Sequence, residues 1–117
     1  MSKVKWIDTE LFNFILNYYE TFGKMPRMFI SGAITGRLDT YKEYFDEVEE
    51  KFKEVYIEAY NPARIDINTQ WEVAMEETLS QLRNCDFVYV LKNWENSKGV
   101  KIELEEATKL DIPIFFE

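Results

Sequence analysis

The chain has 117 residues, 46% of them hydrophobic and 16% aromatic, which is the length and apolar content of one folded domain. Fourteen basic against twenty-two acidic residues leave a formal charge of −8, which repels polyanions and argues against nonspecific nucleic-acid binding. Histidine is absent and Cys85 is the sole cysteine, so an internal disulfide, a Cys/His zinc site and a cysteine–histidine dyad are excluded.

Any acid or base chemistry must therefore fall to Asp, Glu, Tyr, Lys or Cys. No apolar run approaches the ~20 residues of a membrane span, and the start of the chain lacks the pattern of a secretion signal. The expectation is a soluble cytoplasmic protein without membrane contact, with no metal and no cofactor, and with Cys85 as a small buried hydrophobe.

Residues 1–24 read as an added amphipathic helix, with Leu11, Phe12, Ile15, Leu16 and Tyr19 at helical spacing. Asp8-Thr9 is its cap and Gly23 its stop. Its aromatics Phe12, Phe14, Tyr18 and Tyr19 are expected to pack on the domain or on a second subunit. The domain proper spans residues 25–117.

From Met28 onward, strands alternate with helices, which is the pattern of an α/β fold with a parallel sheet. Residues 27–31 form the first strand and Thr40 to Lys53 the first helix of this part. Val55 to Tyr60 is the second strand, ended by Asn61-Pro62. A helix from about Thr69 to Asn84 follows, with Trp71, Met75, Thr78, Leu79 and Leu82 as its inner stripe. Phe87 to Leu91 is continuously apolar, as a buried central strand is. The last strand, Ile112 to Phe116, contains Pro113, which cannot donate to a ladder and so belongs at a sheet edge.

Between these two strands lies a helix with Val100, Leu104, Ala107 and Leu110 on one stripe and Lys101, Glu105 and Lys109 opposite. Glu103 falls inside the apolar stripe. An unpaired carboxylate costs several kcal/mol to bury, so an inward one has a polar partner or chemistry to perform. The plainer reading is a glutamate at the helix edge whose head group reaches water.

Ligands of open α/β sheets bind beyond the carboxyl ends of the strands. That rule selects Ser31 to Arg37, Tyr60 to Ile67 and Lys92 to Gly99. In the first, Ser31, Gly32, Ala33, Ile34, Thr35 and Gly36 form a glycine-containing turn whose amides can approach an anion. In the second, Asn61 can supply a polar contact, although Asn-Pro is also an ordinary turn. In the third, Ser97 is a natural cap for the Glu103 helix, Gly99 leaves room beside its free amides, and Trp94 can cover a base or a sugar.

These motifs are Ser-Gly-x-Ile-Thr-Gly after the first strand, Asn-Pro-Ala after the second, Asn-Cys-Asp before the third, and Trp-Glu-x-Ser-x-Gly-x-x-x-Glu after it. Together they resemble the nucleoside 2-deoxyribosyltransferase superfamily over roughly residues 27–117, in particular its small DUF4406-like branch. More remotely, they are similar to the 2′-deoxynucleoside 5′-monophosphate N-glycosidases. The resemblance implies a flavodoxin- or Rossmann-like sheet of about four strands with helices on both faces, in addition to the N-terminal helix. It also implies cleavage of an N-glycosidic bond in a small nucleotide or nucleoside, with Glu103 as nucleophile, Ser97 and the 31–36 turn on phosphate, and a homo-oligomer.

Two features depart from that pattern. Thr78 stands where the resemblance implies an aspartate that helps protonate the leaving base. Relatives also continue past the fourth strand to complete a neighbour's site, a role that Glu117 or the N-terminal helix would have to fill here. A noncatalytic nucleotide-binding or sensing module is the alternative that Thr78 makes credible. A protein whose N-terminal aromatic helix is its working surface is a third.

Overall fold

The computed structural model describes residues 6–34 and 40–117. Helix α1 (Thr9–Phe22) opens on Asp8, whose carboxylate accepts the Leu11 amide at 2.8 Å, and closes on Gly23 at φ 70°. Strand β1 is Met28–Ser31, helix α2 Tyr41–Lys53, and strand β2 only Ala59–Tyr60. A 3-10 turn at Pro62–Arg64 leads to helix α3 (Trp71–Leu82), strand β3 (Phe87–Val90), helix α4 (Lys98–Lys109) and strand β4 (Ile114–Phe116).

All four strands are parallel, in the order β2-β1-β3-β4. The chain runs outward from β1 to β2 and then returns past β1 to β3. The strand order therefore reverses between β1 and β3, where such sheets open a crevice at their carboxyl ends. β4 is an edge strand, and the Pro113 carbonyl accepts the Val88 amide while its own nitrogen has nothing to donate.

Alternation along the central strands divides the core into two halves. Met28, Ile30, Phe87 and Tyr89 pack with Leu11, Phe45 and Phe52 of α1 and α2. Phe29, Val88 and Val90 pack with Leu82 of α3 and with Val100 and Ala107 of α4. Cys85 lies in the second half, where burial pushes its thiol up to about 11. Ser31 has the parity of Phe29, so its side chain is directed at the α3/α4 layer.

The second strand is shorter than its apolar pattern suggests. Tyr56 takes a left-handed φ of 65°, and the Ile57 amide returns to the Phe52 carbonyl, so residues 55–57 close α2 before the chain can extend. Leu110 is also not part of the inner stripe: α4 ends at Lys109, and Leu110 is 45% exposed. Among the described residues, no helix is long and apolar enough to cross a membrane.

Candidate active site

A cavity of about 900 Å³ opens at the carboxyl ends of β1 and β3. Its walls come from the turn after β1, the loop between β2 and α3, the inner side of α3 and the first turns of α4. Glu103 lies on this wall and is 6% exposed. The helical stripe therefore does turn a carboxyl inward, and the fold gives it a hollow to face.

Ser31 comes from the end of β1 and is completely buried, and its hydroxyl donates to Glu103 Oε1 at 2.6 Å. The Thr78 hydroxyl on α3 lines the same cavity and donates to the Met75 carbonyl at 3.1 Å. Burial pushes the Glu103 carboxyl up to about 7, while the hydroxyls of Ser31 and Thr78 pull the other way. Without these two hydroxyls, desolvation would act unopposed and keep the proton on the carboxyl. The arrangement yields a carboxylate that is ionised in part at neutral pH, stripped of most of its water and held at a fixed angle.

Ser97 caps α4. Its Oγ accepts the Val100 amide at 3.2 Å, so its own proton is the part available to a ligand. Ser97 and Gly99 both line the cavity, beside the positive end of the helix dipole. Of the turn after β1, Gly32, Ala33 and Ile34 also line it, whereas Thr35 and Gly36 lie outside the described residues. Gly32 has a second reason to be glycine, because a Cβ there would meet Phe45 Cζ at 2.8 Å and Leu91 Cδ1 at 3.0 Å.

Three residues read as ligand contacts from the sequence are placed elsewhere. Ser31 sits behind Glu103 with no surface of its own on the cavity. Asn61 is buried and fully engaged: its amide donates to Asp46 at 2.8 Å and to Glu49 at 3.0 Å, and its oxygen accepts the Ala63 amide. Trp94 packs against Phe116 at 5.6 Å between ring centres and borders a shallow depression at the β4 edge. Its apolar ring is drawn to the aromatic edge strand and away from the crevice.

The cavity in turn includes residues that the sequence reading left as core or connector. Trp71, read as part of the inner stripe, is 43% exposed at the mouth, with the Lys98 ammonium 4.9 Å from its ring centre. Asp66 and Ile67 come from the loop before α3. Both fall in the Tyr60 to Ile67 segment that the strand-end rule selects, although neither carries a motif of its own.

Residues 26–116 match the family described as a domain of unknown function, DUF4406. No curated protein matches the sequence. Among solved structures, the fold is similar to that of a 2-desoxiribosyltransferase from Leishmania mexicana, with a TM-score of 0.64 and 18% sequence identity. The likeness covers 78% of this chain and 63% of that one, so the chain accounts for less than two thirds of its relative's length. The family match runs from just before β1 to the end of β4, and the chain accordingly belongs to the DUF4406 family and has a deoxyribosyltransferase-like α/β fold.

Proposed function

We propose that this protein cleaves the N-glycosidic bond of a small nucleotide, with Glu103 as the nucleophile. The observation that carries the reading is a buried carboxyl facing a cavity at the strand-order reversal, oriented by the Ser31 hydroxyl at 2.6 Å. The likeness to a solved 2-desoxiribosyltransferase supports the same class of bond. In such a reaction the developing oxocarbenium ion is stabilised by the nearby negative charge, and a glycosyl ester forms on the carboxylate. Water or a second base then resolves it.

Ser97, with the free amides of the first turn of α4, is suited to the 5′-phosphate, which favours a nucleotide over a nucleoside. The test is a panel of nucleosides and nucleoside monophosphates, with neutral and with cationic bases, followed by chromatography of the free base. Release that disappears in Glu103→Gln is the expected result; no release from any member, or release unchanged in that variant, overturns the reading.

A second reading, a nucleotide-binding module without turnover, is favoured by Thr78, which sets a hydroxyl beside Glu103 and no second carboxyl. Calorimetry distinguishes the two, because a module binds a nucleotide of the panel and releases nothing.

A further inference from the structure

The groups around Glu103 also constrain what can leave. We propose that the substrate is an N-glycoside whose leaving ring already carries a positive charge at the glycosidic nitrogen, as a pyridinium or an N7-alkylated purine does. This narrows the function proposed above and rests on it.

A neutral base departs as an anion unless a proton reaches it, and a positioned acid contributes about 10²–10⁴-fold to that step. Of the side chains on α3 that line the cavity with Glu103, Thr78 is a hydroxyl whose proton is donated to the Met75 carbonyl at 3.1 Å. An alcohol is far too weak an acid to serve. Among the described lining residues, the acidic groups besides Glu103 are Asp66, Tyr41 and Lys98: Asp66 is exposed and its Oδ1 accepts the Asn68 amide at 2.9 Å, Tyr41 belongs to α2, and the exposed Lys98 ammonium lies over the Trp71 ring. The bond from Asn68 closes a turn and holds the Asp66 carboxyl in the loop before α3.

The lining also favours a flat cation. The Trp71 ring at the mouth already holds a positive group, the Lys98 ammonium, at 4.9 Å. An aromatic cation can take that ring face, with Ile65 and Met75 as apolar walls. The formal charge of −8 repels a nucleotide with a cationic ring less than one whose ring is neutral, because the ring charge offsets part of the phosphate.

The chemistry balances without an acid. A Glu103 carboxylate oxygen bonds to the anomeric carbon as the C–N bond breaks, and the bonding pair passes to the ring nitrogen and cancels its charge. The base leaves neutral and takes no proton. Water then attacks the anomeric carbon, the ester bond to Glu103 breaks, and one proton is released to solvent.

The experiment compares nicotinamide mononucleotide, which has a pyridinium base, with deoxycytidine and deoxyadenosine monophosphates on the full chain, with free base measured by chromatography. The expected kcat/KM is at least about 100-fold higher for the pyridinium substrate, the scale of an absent acid. Asp66→Asn is expected to leave that ratio intact. Comparable or faster release from the neutral nucleotides, or a selective loss of their release in Asp66→Asn, overturns the inference and leaves the N-glycosidase reading standing. Release from none of the three, with Glu103→Gln as the blank, removes both.

Discussion

The Ser31 hydroxyl and the Glu103 carboxyl meet at 2.6 Å across 72 positions of sequence, joining the end of the first strand to the fourth helix. Both groups are buried, and in so dry a setting a hydrogen bond to a charge is worth about 1.5–3 kcal/mol. Ser31→Ala removes the bond and leaves burial less opposed. Glu103 then holds its proton to higher pH, the rising limb of the pH–activity profile moves up from about 7, and turnover at neutral pH falls by about tenfold or more. KM should change much less than kcat, since Ser31 has no surface on the cavity. A profile that keeps its position would show that the bond does not control the ionisation.

Stability should record the same proton. The folded protein holds it to about 7, against an ordinary value of 4.5, so the folded state binds more protons than the unfolded chain between these values. Stability therefore falls as pH rises through that interval and is level above it, with a total near 3 kcal/mol. Glu103→Gln removes the ionisation and should flatten the curve, so that it gains on the wild type at pH 8 relative to pH 5. Denaturant titrations at the two pH values measure this directly, and parallel curves for both proteins would contradict it.

Gly32 is held by packing as well as by any ligand. A methyl group there would lie 2.8 Å from Phe45 Cζ and 3.0 Å from Leu91 Cδ1, both on buried side chains. Overpacking of this kind costs about 1–3 kcal/mol, so Gly32→Ala should lower the melting temperature even without ligand. Gly99 offers the contrast, because its added Cβ would make ordinary contacts with the Met75 sulfur at 3.4 Å and the Ser97 Oγ at 3.9 Å. Gly99→Ala should cost far less stability while narrowing the cavity, and calorimetric unfolding of the two variants separates packing from site.

Much of this was legible in the sequence, for physical reasons that differ by residue. The inward set of Glu103 follows from helical periodicity, and the cap at Ser97 from its place before a free first turn. The parallel sheet follows from alternating strand and helix patterns. The partner of Glu103 was not legible: Ser31 looked like part of an anion-binding turn, and only the register of β1 beside β3 turns it toward α4. Trp94 and Trp71 exchanged places for a similar reason. Each is an aromatic next to a loop, and neither local pattern says which ring the β4 edge will attract. The second strand was overestimated because a left-handed Tyr56 has no sequence signature of the glycine kind.

Asn61 gives the sharpest separation between a binding role and a structural one. Its side chain bonds Asp46, Glu49 and the Ala63 amide, and Glu49 in turn pairs with Arg64 at 2.6 Å. Burial pushes the Glu49 carboxyl up, but Arg64 and Asn61 more than offset it, so the group ends below the usual range. Asn61 thus ties the 3-10 turn at Pro62–Arg64 to α2 and holds the base of the loop that forms one cavity wall. Asn61→Ala leaves Glu49 short of a donor in a buried setting, at a cost of about 1–3 kcal/mol. The loss should be greatest above the Glu49 ionisation and should shrink as acid protonates that carboxylate. Substrate affinity of the folded fraction should stay within about twofold of wild type, since Asn61 does not line the cavity. A large rise in KM with unchanged stability would instead return Asn61 to the ligand.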